Sequence, residues 1–309
     1  MNPSEQRDWR TDRQVIAARY FKAINLCTAA LYGMIKPHID KLQRILPLID
    51  FVISRFVTVT QLANSGNLWD AEIIYRSALE THVKLIFILD SDAQEAEIKL
   101  KEYWEDLSEI NSLKLSEQGR KNLRSFNQSE LHYLAYAPMV LSEEEEERLR
   151  VKWPRKVRQQ LEQKWSFTQI TLSLAANYWG KSIGAFIGLT HHYRLASHVT
   201  HGDETGLYII NERASRPEEK REVAEFAHYL RFMNEAFYYC LNIAFAVGKY
   251  VEADISLFTE LDAGLKDINE LTRYYMMKLY EERDYDTYRA DFQKANQQEG
   301  QGEANDEAT

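Results

Sequence analysis

The chain has 309 residues, 45% of them apolar, which is enough for a substantial core, while a net charge of −9 argues against broad, non-specific binding to nucleic acid. Twelve glycines and six prolines are too few turn residues for an all-β or α/β fold and favour long helices. Cys27 and Cys240, far apart and without a CxxC, argue against a disulfide framework or a cysteine zinc site and fit a reducing cytoplasm.

The start, MNPSEQRDWRTDRQ, is polar and mixed in charge, unlike a signal peptide. Helices are expected at about 12–35 and 39–62, broken by Pro37 and ended near NSGN. The third, LWDAEIIYRSALETHVKLIFIL, follows Asn67 as its N-cap, and a fourth starts after Ser91 and runs through AEIKLKEYWEDLSEINSL. Residues 116–165 read as a less regular, charged insertion of shorter helices. The apolar run from Ser166 to Leu189 holds Gly180, Gly184 and Gly188, which predicts close packing or a break. The helix carrying HHYRLASHVTH follows, then the loop GDETG, then two long helices at about 217–250 and 255–285. The most apolar long stretch, FMNEAFYYCLNIAFAVG, is interrupted by Asn234, Glu235 and Asn242, so no membrane span is expected there. The expectation is an all-α multi-helix bundle, one domain over 1–293, with 294–309 a disordered tail without large apolar residues.

Two helices carry the chemistry. Successive side chains on a helix are about 100° apart, so His191, Arg194, His198 and His201 fall within about 80° as one stripe. Tyr193, Ala196 and Val199 take another side, towards the core. Gly202 is the expected C-cap, placing His201 in the last turn, where the carbonyls favour a positive imidazole. A histidine that moves protons beside a permanent arginine charge suits phosphate chemistry. A solvated polar stripe is the plain alternative. In the third helix Trp69, Ile73, Arg76, Glu80 and Val83 follow the spacing of a core-facing stripe, so Arg76 and Glu80 interrupt an apolar face. They read either as a buried structural pair or as a carboxylate orienting a site arginine or histidine.

Together YRSALETHVKLIFIL and YRLASHVTHGD resemble a group of uncharacterised all-helical bacterial proteins with R-x-x-x-E in one helix and S-x-x-x-H-G at a later helix end. These motifs fall on Arg76 and Glu80, then on Ser197, His201 and Gly202, and the resemblance covers roughly 60–215. The later segment also resembles the signature of HEPN domains, an arginine followed after four to six residues by a histidine. Arg194 and His201 match it, Arg76 and His82 match it more loosely, and Leu195 stands where the pattern usually has Asn or Asp. Many HEPN domains are metal-independent ribonucleases in toxin–antitoxin and phage-defence systems. The resemblance therefore implies a cytoplasmic endoribonuclease, active as a homodimer, that cleaves RNA by attack of the 2′-hydroxyl and needs no cofactor or metal. Arg194, His201 and His198 would be catalytic, with Arg76, Glu80, Ser197 and His191 supporting, and an antitoxin or defence protein would be the partner. Leu195 and the acidic charge favour the other reading, a catalytically inert scaffold or sensor that binds RNA, a nucleotide or a partner protein.

Arg148, Arg150, Lys152, Arg155, Lys156 and Arg158 surround Trp153 and form a candidate RNA-binding patch, with Trp153 able to stack on a base. The adjoining EEEEE run, 143–147, offers the simpler explanation that the two charge blocks offset each other. EFAH, 225–228, supplies one E-x-x-H where a di-iron bundle needs two, and the spacing of His198, His201 and Asp203 is not diagnostic of a metal. No Walker loop, GxGxxG or GxSxG occurs.

Overall fold

Low glycine and proline content and long apolar periodicity produce helices throughout. The computed structural model describes residues 9–125, 130–178, 180–181 and 185–282, and among them the fold is an all-α multi-helix bundle, whose one β contact is an isolated bridge between Tyr178 and Lys181. The chain opens with α1 (Trp9–Ile35), α2 (Ile39–Leu42), α3 (Leu46–Asn64) and α4 (Leu68–Leu89). Pro37 starts a short 3₁₀ turn, and Pro47 sits in the first turn of α3, where its missing N–H is not needed. The expected 39–62 helix is therefore two helices with a turn between them. Gly66, at φ +84°, reverses the chain into α4, and the Asn67 N–H bonds to the Leu62 carbonyl at 2.9 Å. The Asn67 side chain makes no capping hydrogen bond, contrary to expectation, because this backbone turn already joins the helices.

Next come α5 (Ala93–Lys101), a π-helical turn at Glu102–Asp106 and α6 (Leu107–Ser125). The cap of α5 is Asp92, one residue later than expected, accepting from the Glu95 N–H at 2.8 Å. Short helices follow: α7 (Glu130–Tyr136), α8 (Glu143–Lys152), α9 (Arg155–Lys164) and α10 (Phe167–Ala176). The expected irregular region thus begins only after α6. Gly180 at φ +78° lies in the break after α10, while Gly188 sits inside α11 (Ala185–His201) with open space beside it. The chain ends with α12 (Glu204–Ala214), α13 (Glu218–Val251), α14 (Ser256–Ala263) and α15 (Lys266–Glu282). The last expected helix is divided at Gly264 and Leu265; its end beyond 282 and the 294–309 tail lie outside the described residues.

The core is built on α13, which packs against α1, α3, α4 and α15, while α10 and α11 pack on the other side of α4. Helix α3 is, by length and composition, apolar enough to cross a membrane, yet it contributes Leu48, Ile49, Val52, Phe56 and Val59 to this core. A small separate cluster of Ile110, Leu113, Leu149 and Trp153 holds the charged segment together. The buried stripe of α4 runs through Leu68, Glu72, Tyr75, Leu79, His82 and Ile86, about one residue, or about 100°, away from the expected one. Ile73 is exposed, Arg76 and Glu80 lie on the flank facing α11 and Trp69 packs against Arg213 of α12 and His228 of α13, so the fully buried charge of this helix is Glu72.

Candidate functional site

The end of α11 is a tight helix–turn–helix joint. Gly202 adopts φ +57°, as a C-cap requires, and its N–H bonds to the Val199 carbonyl at 3.2 Å. Asp203 caps α12, accepting from the Gly206 N–H at 3.0 Å, and its other oxygen lies 2.7 Å from His198 Nδ1. The Gly206 amide and the His198 ring hold the Asp203 carboxyl below its usual value. Gly206 is buried against α11, where a Cβ would stand 2.3 Å from the His198 carbonyl oxygen. His198 is thus engaged in the joint, and Ala196 and Val199 are buried as expected. Ser197 is half-buried. Arg194 and His201 are exposed on the outer face, without a hydrogen bond or ion pair to another described residue, and His191 lies near the other end of the stripe, its ring 5.9 Å from that of His192.

Arg76 and Glu80 do reach α11, through Tyr193 rather than through the histidine stripe. Arg76 Nη2 donates to the Tyr193 hydroxyl at 2.7 Å, and that hydroxyl donates to Glu80 Oε2 at 3.3 Å. The guanidinium lies 4.7 Å from the centre of the Tyr193 ring, whose other partner is Phe167, stacked at 3.9 Å. Glu80 is also bonded by Lys84 at 2.9 Å. Burial opposes its ionisation, but Lys84, Arg76 and the tyrosine hydroxyl outweigh it and hold the carboxyl below the ordinary range. The loosely matching His82 is fully buried among Phe56 and Tyr239, and burial pushes it down to about 3, so it is a neutral core residue.

On the inner side of α11, a cleft of about 230 Å³ is bounded by α4, α11, α12, α13 and α15. Its floor is the buried carboxylate Glu72. Glu72 Oε1 accepts from His228 Nε2 at 2.7 Å and from Arg231 Nη2, while His228 Nδ1 faces Arg213 Nη1 at 2.6 Å. With Arg213 donating, the imidazole is the neutral form that carries its proton on Nε2. Burial first, then the arginines, pushes His228 down to about 4 despite Glu72. For Glu72 burial opposes ionisation, but Arg231 and His228 prevail and keep it charged. Further along, Glu235 accepts from the Tyr75 hydroxyl at 2.5 Å and lies 3.1 Å from His192 Nδ1, out of line for a hydrogen bond. Among the described residues, three polar atoms here are buried without a hydrogen-bond partner: Glu72 Oε2, Arg231 Nη1 and His192 Nδ1. Sequence reasoning missed this network, although Glu235 is one of the polar residues that interrupt the long apolar stretch at 232–248.

The basic segment is mostly neutralised. Arg148 bonds Glu145 at 2.7 Å, Arg150 bonds Glu146 at 3.2 Å and Lys152 bonds Glu109 at 2.6 Å. Trp153 is buried and donates its indole N–H to Glu109 at 2.7 Å, which corrects its expected role as a base-stacking platform. Arg158 is half-buried, while Arg155 and Lys156 remain exposed at the start of α9. Among the described residues no group of three or more His, Cys, Asp or Glu has a metal-binding arrangement, and His198, His201 and Asp203 do not form one. A family model described as a family of unknown function (DUF5677) matches residues 46–218, more than half of the chain and all of α3 to α12. No curated protein and no solved structure matches the chain.

Proposed function

Since the chain belongs to that family, whose function is unknown, we propose from its own geometry that it is a HEPN-like, metal-independent endoribonuclease acting in the cytoplasm. Its role would be that of a toxin or effector in phage defence or a toxin–antitoxin pair. The observation that carries this reading is the state of Arg194 and His201. Both stand exposed on one face of α11 without a partner among the described residues, whereas Arg76, His198, Arg213, His228 and Arg231 are all engaged. His201 transfers the proton as the 2′-hydroxyl attacks, and Arg194 carries the charge on the scissile phosphate. Seven residues apart, they are separated by about 10 Å of helix rise, so a homodimer that brings Arg194 of one copy to His201 of the other suits the chemistry better than one chain alone. Leu207 and Tyr208 on the adjoining α12, 51% and 69% exposed, supply apolar surface for that contact.

General acid–base assistance contributes roughly 10²–10⁴-fold, so His201→Ala lowers RNA cleavage by that order while its circular dichroism melt is unchanged. Arg194→Lys, which keeps the charge without the planar fork, is impaired less than Arg194→Ala. Cleavage persists in EDTA. A folded His201→Ala that cleaves like the parent ends this reading in favour of the second, an inert helical scaffold. That second reading is favoured by Leu195, whose side chain joins the apolar wall of the inner cleft rather than the Arg194–His201 face.

A further inference from the structure

The inner cleft combines features that the ribonuclease reading does not use. We propose that it is a binding site for a nucleoside monophosphate, with the base inserted towards Glu72 and Arg231 and the phosphate held at the rim. Three observations carry this.

The floor offers a matched pair of unfilled groups. Among the described residues Glu72 Oε2 accepts no hydrogen bond and Arg231 Nη1 donates none, Glu235 lying 3.9 Å from it, while their sister atoms are bonded to each other. A buried carboxylate oxygen and a buried guanidinium N–H without partners each cost stability, of the order of 1–3 kcal/mol or more for charged groups. An open acceptor and an open donor on two side chains joined by a bond are what the edge of a nucleobase requires, where an N–H or amino group adjoins a carbonyl or ring nitrogen. The walls are apolar: Leu195, Ile209, Ala227 and Met276 bound the slot, which suits the faces of a flat ring. The lining also includes His191 and Arg213, an exposed and a half-buried basic side chain that suit an anion outside the slot. Arg213 is itself fixed by its bond to His228 and by the Trp69 ring 4.4 Å beneath it. Larger, shallower depressions of about 550 Å³ and 630 Å³ lie beside α14 and beside Gly248, but neither is lined by a residue with an unpaired buried polar atom.

The inference is independent of cleavage, since neither Arg194 nor His201 lines the cleft. Isothermal titration of the purified full chain with 5′-AMP, 5′-GMP, 5′-UMP, ribose 5-phosphate and inorganic phosphate tests it. At least one mononucleotide is expected to bind about tenfold or more tighter than ribose 5-phosphate, a difference of about 1.4 kcal/mol for the base. Leu195→Trp, which fills the slot, and Arg213→Ala, which strips the rim, are each expected to weaken that binding about tenfold or more. His201→Ala is expected to bind like the parent. Equal binding of ribose 5-phosphate, retention of affinity in a folded Leu195→Trp, or no mononucleotide binding at millimolar concentration would overturn the proposal.

Discussion

The outer face of α11 holds Arg194 and His201 in solvent, whereas the inner cleft sets His228 and Arg231 around a buried carboxylate. The residue types are the same and their surroundings are opposite. Inside, Glu72 and His228 are buried and Arg231 nearly so, and these three groups lean on one another in place of water. Outside, water already satisfies both groups, and they stay available to a ligand. Substitutions inside should therefore move stability first, and substitutions outside should move function alone.

The largest effect expected from this contrast is at Glu72. Glu72→Gln leaves Arg231 with only the more distant Glu235 as counter-charge, and should cost about 3–5 kcal/mol of unfolding free energy in urea. A variant as stable as the parent would show that the inner network is no more than a solvated pair.

Acid should act on the same interior. His228 is lowered from 6.5 to about 4 and His82 from 6.5 to about 3, both through burial, so the unfolded chain binds protons that the folded chain refuses. Stability is then complete above about pH 6.5 and falls as the pH drops towards 4, by up to about 1.4 kcal/mol per pH unit for each histidine. Below about 4 the His228 contribution is spent, while His82 and the lowered carboxyls of Glu72, Glu80 and Asp203 continue to lose stability. Urea midpoints measured at several pH values through this window would read the slope, and a flat profile would contradict the burial of both rings.

Smaller changes test the joint between the two regions. Gly206→Ala places a methyl against the His198 carbonyl and should destabilise by about 1–3 kcal/mol as α12 is pushed off α11. If its melt matches the parent's, the close approach is not maintained in solution. Tyr193→Phe removes the hydroxyl shared by Arg76 and Glu80 and should cost about 0.5–1.5 kcal/mol. A loss near zero would mean that the ring stacking on Phe167, not the hydroxyl, ties α4 to α11.

Much of this architecture is legible in local chemistry alone. The break at Gly180, the turn at Gly66 and the cap at Gly202 are marked by residues whose backbone freedom those conformations need. The stripe of α11 is readable because its members are neighbours along one helix, and periodicity reports such neighbours directly. Periodicity misplaces the core face of α4 by about one residue, because Glu72 and His82 look polar in sequence and are buried only through their partners. The charged segment is readable as offsetting blocks, but not Trp153, whose burial depends on α6.

The sequence by itself determined that this protein is helical, roughly where α1, α4 and α13 begin and end, and that Arg194 and His201 share one face of α11. Those properties follow from dihedral preferences, caps and a period of 3.6 residues, all set within a few positions of the chain. Only the tertiary structure decided that Glu72 meets His228 and Arg231 across 156 and 159 residues, that Tyr193 joins Arg76 to Glu80, and that a cleft opens between them. Whether a charge is a solvated ornament or a buried obligation depends on which helix covers it, and packing settles that by excluding water from one face and not the other.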